Sequence, residues 1–301
     1  MKLNKLVLRD QKLFNRHLDF HPHELAAFSF ANIYIWRTLY AIDWVVIRKS
    51  LCIFFRDAIG CFMYLPPLTA SFDPEVIPQA FAIMDKINKN KDISRIENIQ
   101  QEDSEGYRFL GYLVREKYPD YLCLRSDLAL LVGNKFKSQR AACNYFIKHY
   151  DCAWRSIRLA DHADCLSLFD GWIKERKAQC QDDVYCGMLE DNRKVIKNAF
   201  INFKQLNLEG IVVRVDKKIK AFSFGYRLNA DIFCILYEIT DLRIKGLAQF
   251  IFRQFSQELK SYKYINIMDD SGLENLRKTK LAYKPTRLIP AYIVTRDDRR
   301  Y

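Results

Sequence analysis

Glu-Ile-Thr-Asp-Leu-Arg-Ile-Lys-Gly-Leu-Ala-Gln-Phe-Ile-Phe-Arg-Gln-Phe, residues 238 to 255, links a strand-like apolar run (Ile232 to Ile239) to a helix with Phe250, Ile251 and Phe255 at core spacing. The turn between them carries Arg243, Lys245, Gly246 and Ala248. Strand, small-residue loop and helix start form an arrangement suited to phosphate. The first N–H groups of a helix lack partners, and its dipole favours an anion there. Gly246 and Ala248 would let the backbone approach a pyrophosphate, with Arg243 and Lys245 adding positive charge. The alternative is an ordinary strand-to-helix turn with solvated basic residues.

The chain on either side is long enough for two domains of ordinary size. It has 301 residues, half of them apolar, so a core forms without staples. A formal charge of +12 favours polyanions, whether a nucleotide cofactor, RNA or an anionic lipid surface, without choosing among them. Nine scattered cysteines, with no Cys-x-x-Cys pair, read as reduced and mostly buried thiols of a cytoplasmic protein rather than a zinc site. His21-Pro22-His23 reads as a surface turn, and no metal is expected. The window Leu25 to Ile47 is broken by Asn32, Arg37 and Asp43, so no transmembrane segment is expected.

Around the central stretch the elements fall into a repeated order. From Asp151 onward the pattern reads strand, two helices, three antiparallel strands ending at Ile239, the central loop and helix, a strand at Tyr264 to Met268, a short helix, and a last strand at Arg287 to Thr295. The charged tail from Arg296 to Tyr301 is expected to fray. The first half shows a helix, a strand meander over Trp44 to Tyr64, a helix over Pro74 to Ile87, then strand, helix and strand. Tyr118-Pro119-Asp120 reads as a turn, and a helix is expected over Glu190 to Leu206. No residue-level repeat is visible, so a duplicated unit rests on element order.

The Arg-x-x-Gly-x-Ala spacing of Arg243 to Ala248 resembles the acyl-coenzyme A pyrophosphate loop of the GNAT acyltransferases, and the element order of the second half resembles theirs. Further segments resemble one family: Phe28 to Trp36; Tyr121 to Leu124, Asp127 to Phe136 and Arg140; then Val215 to Phe222, Leu228-Asn229, Glu238, Gly246 and Gly272 to Leu281. Together they resemble the DUF2156 family, which is similar to the C-terminal catalytic domain of phosphatidylglycerol lysyltransferases. The resemblance implies an α+β fold of two tandem GNAT-like domains with mixed, mainly antiparallel sheets. The expected boundaries are 1–151, read as either a degenerate or an intact copy, and 152–301, carrying the phosphate loop. It also implies an aminoacyl-tRNA donor and a lipid head group acceptor. The family's basic helix is thinned here to Gly133-Asn134-Lys135 and Gln139-Arg140.

Acyl transfer needs a positioned donor, a base for the acceptor and stabilisation of an oxyanion. Glu238 is the candidate general base, the competing reading being a salt bridge to Arg243 or Lys245. Tyr283 is the candidate general acid, or else a packed aromatic. Lys135, Lys137 and Arg140 lie on or beside one helix face, and with Lys278 and Lys280 they are candidate contacts for tRNA or another anion, or else solvated surface.

The expectation is therefore an acyl or aminoacyl transferase. Aminoacyl-tRNA or acyl-coenzyme A would be co-substrate, no cofactor would be tightly bound, and the acceptor would be an amine or hydroxyl. The expected partners are tRNA and an anionic membrane surface, the protein being cytoplasmic or peripheral to the inner face of the membrane. The alternative is a non-enzymatic basic scaffold for RNA or such a surface.

Overall fold

The computed structural model describes residues 2–179 and 182–296. The chain divides into two compact units, one of Met1–Asp120, Asp269–Gly272 and Leu288–Tyr301, the other of Tyr121–Met268 and Leu273–Arg287. The division falls some thirty residues before the expected boundary, and the last strand of the chain belongs to the first unit.

The first unit runs β1 (Asn4–Lys5), α1 (Gln11–Leu18), α2 (Phe30–Ile35), β2 (Ala41–Ile47), β3 (Ser50–Arg56), β4 (Cys61–Met63), α3 (Val76–Ile87), β5 (Ile96–Ile99) and α4 (Gln101–Phe109). β6 (Leu113–Leu124) follows. Strands β1 to β4 pair antiparallel in sequence order, β4 pairs parallel with β5, and β5 pairs antiparallel with β12 (Arg287–Thr295). In α3 the residues Val76, Ile77, Ala80, Phe81 and Met84 form one apolar stripe and are buried. They pack with Phe54, Met63, Ile96 and Val294 from the sheet.

The second unit runs α5 (Arg125–Leu130), α6 (Lys137–His149), β7 (Cys152–Ser156), α7 (His162–Ala178), α8 (Asp183–Ile201), β8 (Glu209–Val215), β9 (Lys218–Arg227), β10 (Ile232–Thr240), α9 (Leu247–Glu258), β11 (Tyr264–Asn266) and α10 (Glu274–Ala282). β7 to β10 are antiparallel, β10 and β11 parallel, and β11 pairs antiparallel with Leu122 to Leu124 of β6. Each unit thus has the order strand, two helices, three antiparallel strands, helix, parallel strand, helix. The core on one face of the second sheet gathers Phe233 and Ile235 of β10, Leu247, Phe250, Ile251 and Phe255 of α9, and Phe146 of α6.

Three local expectations are corrected. Tyr118-Pro119-Asp120 lies within strand β6 rather than in a turn, since the fixed φ of proline is compatible with extended backbone. Helix α8 starts seven residues before the expected Glu190, because the Asp182 carboxylate caps it by accepting from the N–H groups of Val184 and Tyr185. His23 is buried rather than on a surface turn: it stacks on Phe28 at 4.0 Å, and burial lowers its pKa to about 4. Asp297 to Tyr301 of the expected frayed tail lie outside the described residues, as does Cys180. No helix among the described residues is long and apolar enough to cross a membrane.

Candidate functional site

β10 and β11 pair only from Ile232–Tyr264 to Cys234–Asn266. Beyond that point the chain after β11 turns to β6, the Ile267 N–H donating to the Tyr121 carbonyl, while β10 runs on to Thr240. The two strands therefore part, and Glu238 lies on β10 past the parting.

The direction of Glu238 is set by an irregularity in the ladder. Ile235 opposes Gly225 and Tyr237 opposes Phe224, so one extra residue of β10 sits between them. A regular strand would place Tyr237 on the same face as Phe233 and Ile235. The bulge reverses this. Tyr237 faces α7 and α8, where its hydroxyl bonds Asn192 and its ring meets Phe169, and Glu238 turns to the face of α9. Gly225 permits this register, since a Cβ there would stand 1.8 Å from the Cys234 carbonyl oxygen.

Glu238 Oε2 is covered and has no hydrogen-bond partner. Burial pushes its carboxyl up to about 8. Ser223, paired with it across the ladder, has a covered hydroxyl likewise without a partner. Tyr283, just after α10, is buried with its ring 4.2 Å from that of Phe252. Burial first, and the nearby Glu238 carboxyl next, hold its phenol well above the usual range. The two sequence candidates are thus neighbours in one covered polar spot. The competing salt bridges of Glu238 are not formed: Arg243 pairs with Asp241 at 2.8 Å, and Lys245 stands 4.6 Å over the Tyr145 ring.

Lys280 is the site's least legible member. It is the buried residue of α10, 9% exposed, while its neighbour Leu281 is 41% exposed. Its ammonium donates to the carbonyls of Ile267 and Met268, where the chain leaves β11. It also lies 5.8 Å over the Tyr121 ring and acts electrostatically on Cys123, which in turn acts on Tyr283. A polar helix with no apolar stripe gave no sign of which face turned inward. Burial raises the thiols of Cys123 and Cys165 to about 12, far from the thiolate a nucleophile needs.

The expected phosphate cradle is not assembled from the four residues named for it. Gly246 has φ +84°, and a Cβ on it would lie 2.2 Å from the Ala142 carbonyl oxygen. The glycine serves the close approach of α6 and the left-handed entry to α9. Ala248 lies in the first turn of that helix, half-buried. The Arg243 guanidinium is taken by Asp241, which Lys220 also holds at 2.8 Å, and Lys245 by Tyr145.

The basic helix candidates also divide. Arg140 donates to the carbonyls of Leu131 and Gly133, closing the end of α5. Lys135 pairs with Asp127 at 2.6 Å. Lys137 is exposed, and Lys278 is 74% exposed beside Glu274. Lys280 is therefore internal, and the half-buried Arg140 is spent on backbone carbonyls.

The profile of the family of phosphatidylglycerol lysyltransferase C-terminal domains matches residues 20–295. Among solved structures, a conserved protein of unknown function from Bacteroides thetaiotaomicron is similar with 27% identity and a TM-score of 0.88, over 99% of this chain and 100% of that one. The C-terminal DUF2156 domain of a putative lysylphosphatidylglycerol synthetase from Agrobacterium fabrum is similar in fold, with 12% identity, a TM-score of 0.68, and coverage of 98% and 93%. A tandem GNAT protein from the clavulanic acid biosynthesis pathway shares the fold with 8% identity, a TM-score of 0.54 and 97% of each chain. No curated protein matches the sequence.

Proposed function

Because the chain belongs to the family of phosphatidylglycerol lysyltransferase C-terminal domains, we propose that it transfers an aminoacyl group from aminoacyl-tRNA to an amine or hydroxyl acceptor such as a lipid head group, at the parting of β10 and β11. The observation that carries the reading is the covered, unpartnered Oε2 of Glu238 beside Tyr283. A carboxyl raised to about 8 is a far stronger base, once ionised, than an exposed glutamate.

In this reading Glu238 takes the proton of the acceptor, whose nitrogen or oxygen bonds to the carbonyl carbon of the donor ester. The fixed ammonium of Lys280 stabilises charge on the tetrahedral oxygen. The Tyr283 phenol, held protonated, gives its proton to the departing ribose oxygen as the carbon–oxygen bond breaks. Donation from an aminoacyl ester rather than acyl-coenzyme A is supported by Arg243 and Lys245, both engaged by the protein itself. The first unit is read as non-catalytic. There the Asn98 amide donates to the Tyr64 carbonyl at 2.8 Å, and Lys117 bonds both Glu97 and Asn98, filling the place between β4 and β5.

The test supplies the purified chain with a labelled mixed aminoacyl-tRNA pool or labelled acetyl-coenzyme A, each with phosphatidylglycerol vesicles. Label leaving the tRNA for the lipid fraction supports the reading. Transfer from acetyl-coenzyme A alone would replace the donor, and transfer from neither would end the proposal.

A further inference from the structure

A groove separate from the parting of β10 and β11 lies in the second unit, where one face of α7 meets the tip of the β8–β9 hairpin and the loop after β10. Its volume is about 450 Å³. The α7 side presents Asp164, Ser167, Gly171, Trp172 and Glu175, the successive positions of one helical face. Gly171 leaves the floor open, since nothing lies within 4 Å of a Cβ built there. Two long ion pairs cross the groove, Arg214–Asp164 and Arg243–Glu175, each at 3.8 Å. At that separation they are weak, and both guanidiniums are held more closely by other aspartates, Arg214 by Asp161 at 2.9 Å and Arg243 by Asp241 at 2.8 Å. Between them the hairpin tip presents Lys217 and Lys218, exposed and without an ion pair among the described residues.

The same construction recurs in the first unit. A groove of about 810 Å³ lies between α1, the tip of the β2–β3 hairpin and the loop after β4. Counted from the first strand of the order the two units share, these are the first helix, the first hairpin and the loop after the fourth strand in both. Both tips are basic with two left-handed residues, Arg48-Lys49 in one and Asp216-Lys217 in the other. In both, an aspartate of the loop is paired with a base of the hairpin, Asp73 with Arg48 at 2.9 Å and Asp241 with Lys220 at 2.8 Å. That leaves Lys49 and Arg16 in the first groove in the part that Lys217 and Lys218 play in the second.

We infer that the α7 groove binds the phosphodiester backbone of RNA, with Lys217 and Lys218 on phosphates beside a wall made by the half-buried Trp172, whose ring is engaged by Phe169 and Arg176, and that the first unit repeats the device with Lys49 and Arg16. A recessed groove with a basic rim suits a strand laid into it better than a flat bilayer. Phosphate contacts of this kind position a nucleic acid without reading its sequence. The inference deepens the proposed function and rests on its aminoacyl-tRNA donor, whose acceptor arm would need a backbone site beyond the reacting end.

The test is fluorescence anisotropy of a labelled, uncharged tRNA transcript with the full chain from about 50 to 300 mM salt. Lys217→Ala/Lys218→Ala lowers the slope of log affinity against log salt by about 2. Gly171→Phe, on the groove-lining face of α7 with nothing within 4 Å of its Cβ, weakens binding about tenfold or more at low salt through lost phosphate contacts. Unchanged melting temperatures for both variants establish that they fold. Wild-type failure to bind the transcript, or variants with unaltered affinity and slope, would overturn the inference. So would variants that lose binding to phosphatidylcholine–phosphatidylglycerol vesicles while keeping RNA. Groove variants that lose RNA, in a chain that transfers nothing from charged tRNA, would leave the groove standing and remove the catalytic reading. Active transfer with normal RNA binding by the variants would do the reverse.

Discussion

Replacing Glu238 by glutamine should stabilise the protein at alkaline pH and leave it nearly unchanged in mild acid. One carboxyl oxygen, Oε2, is covered and lacks a hydrogen bond, and burial raises the carboxyl from 4.5 to about 8 in the folded chain. Between those values the native state holds a proton that the unfolded chain releases. Stability is therefore highest below the unfolded value and is lost as pH rises through the folded one. At roughly 1.4 kcal/mol per pH unit the loss amounts to up to about 5 kcal/mol by pH 9. Glutamine stays neutral throughout and removes that dependence. Urea unfolding followed by circular dichroism at half-unit steps from pH 5 to pH 9 should show the two proteins within about 1 kcal/mol at the acid end, where both side chains are neutral. The variant should be ahead by about 3–5 kcal/mol at the alkaline end. Parallel profiles would mean that the carboxylate is solvated or paired in solution, and would refute both the burial and the base assigned to it.

Other consequences are independent of this one. Gly246→Ala places a Cβ 2.2 Å from the Ala142 carbonyl oxygen at a φ of +84°, so thermal unfolding should show a loss of about 2–4 kcal/mol; an unchanged melting temperature would contradict the packing of α6 on the start of α9. Asp161 is buried between Arg155 at 2.6 Å and Arg214 at 2.9 Å, and hydrogen bonds from Arg155 hold its carboxyl far below the usual range. Its contribution is present above the ordinary carboxylate range and lost in acid. Asp161→Asn should therefore be less stable than wild type at pH 7 and converge with it as pH falls toward 2, which melts across that range would check. The transfer rate should climb with pH through about 8, as Glu238 ionises, with single-turnover rates as the measure.

Much of the fold was legible because its signals are local. The central strand from Ile232 and the last strand from Arg287 followed from periodicity within about one residue of the observed limits, and the helix after the central turn followed from its core spacing. The units were less legible. Their division depends on which strands pair, and the final strand joins the first unit through a ladder with Ile96 and Ile99. At the site, Glu238 and Tyr283 were legible as candidates by residue type and place in the order. Their convergence was not, because a one-residue bulge decides which face a strand residue takes. The signal available was Gly225 in the middle of an aromatic strand, since an interior strand glycine marks a bulge or a close approach. The Gly246 loop misled for a physical reason. A glycine with positive φ at a helix start is required by backbone packing as readily as by a phosphate, and here the carbonyl of Ala142 accounts for it.

Whether Glu238 acts as a base at the parted strands is reached directly by one comparison. Wild type and Glu238→Gln are given the same labelled aminoacyl-tRNA pool and lipid acceptor, and single-turnover transfer is followed with tRNA binding measured in parallel. A base at this position predicts that the variant binds tRNA as wild type does and transfers at least about a hundredfold more slowly. Transfer by the variant at the wild-type rate would contradict that role.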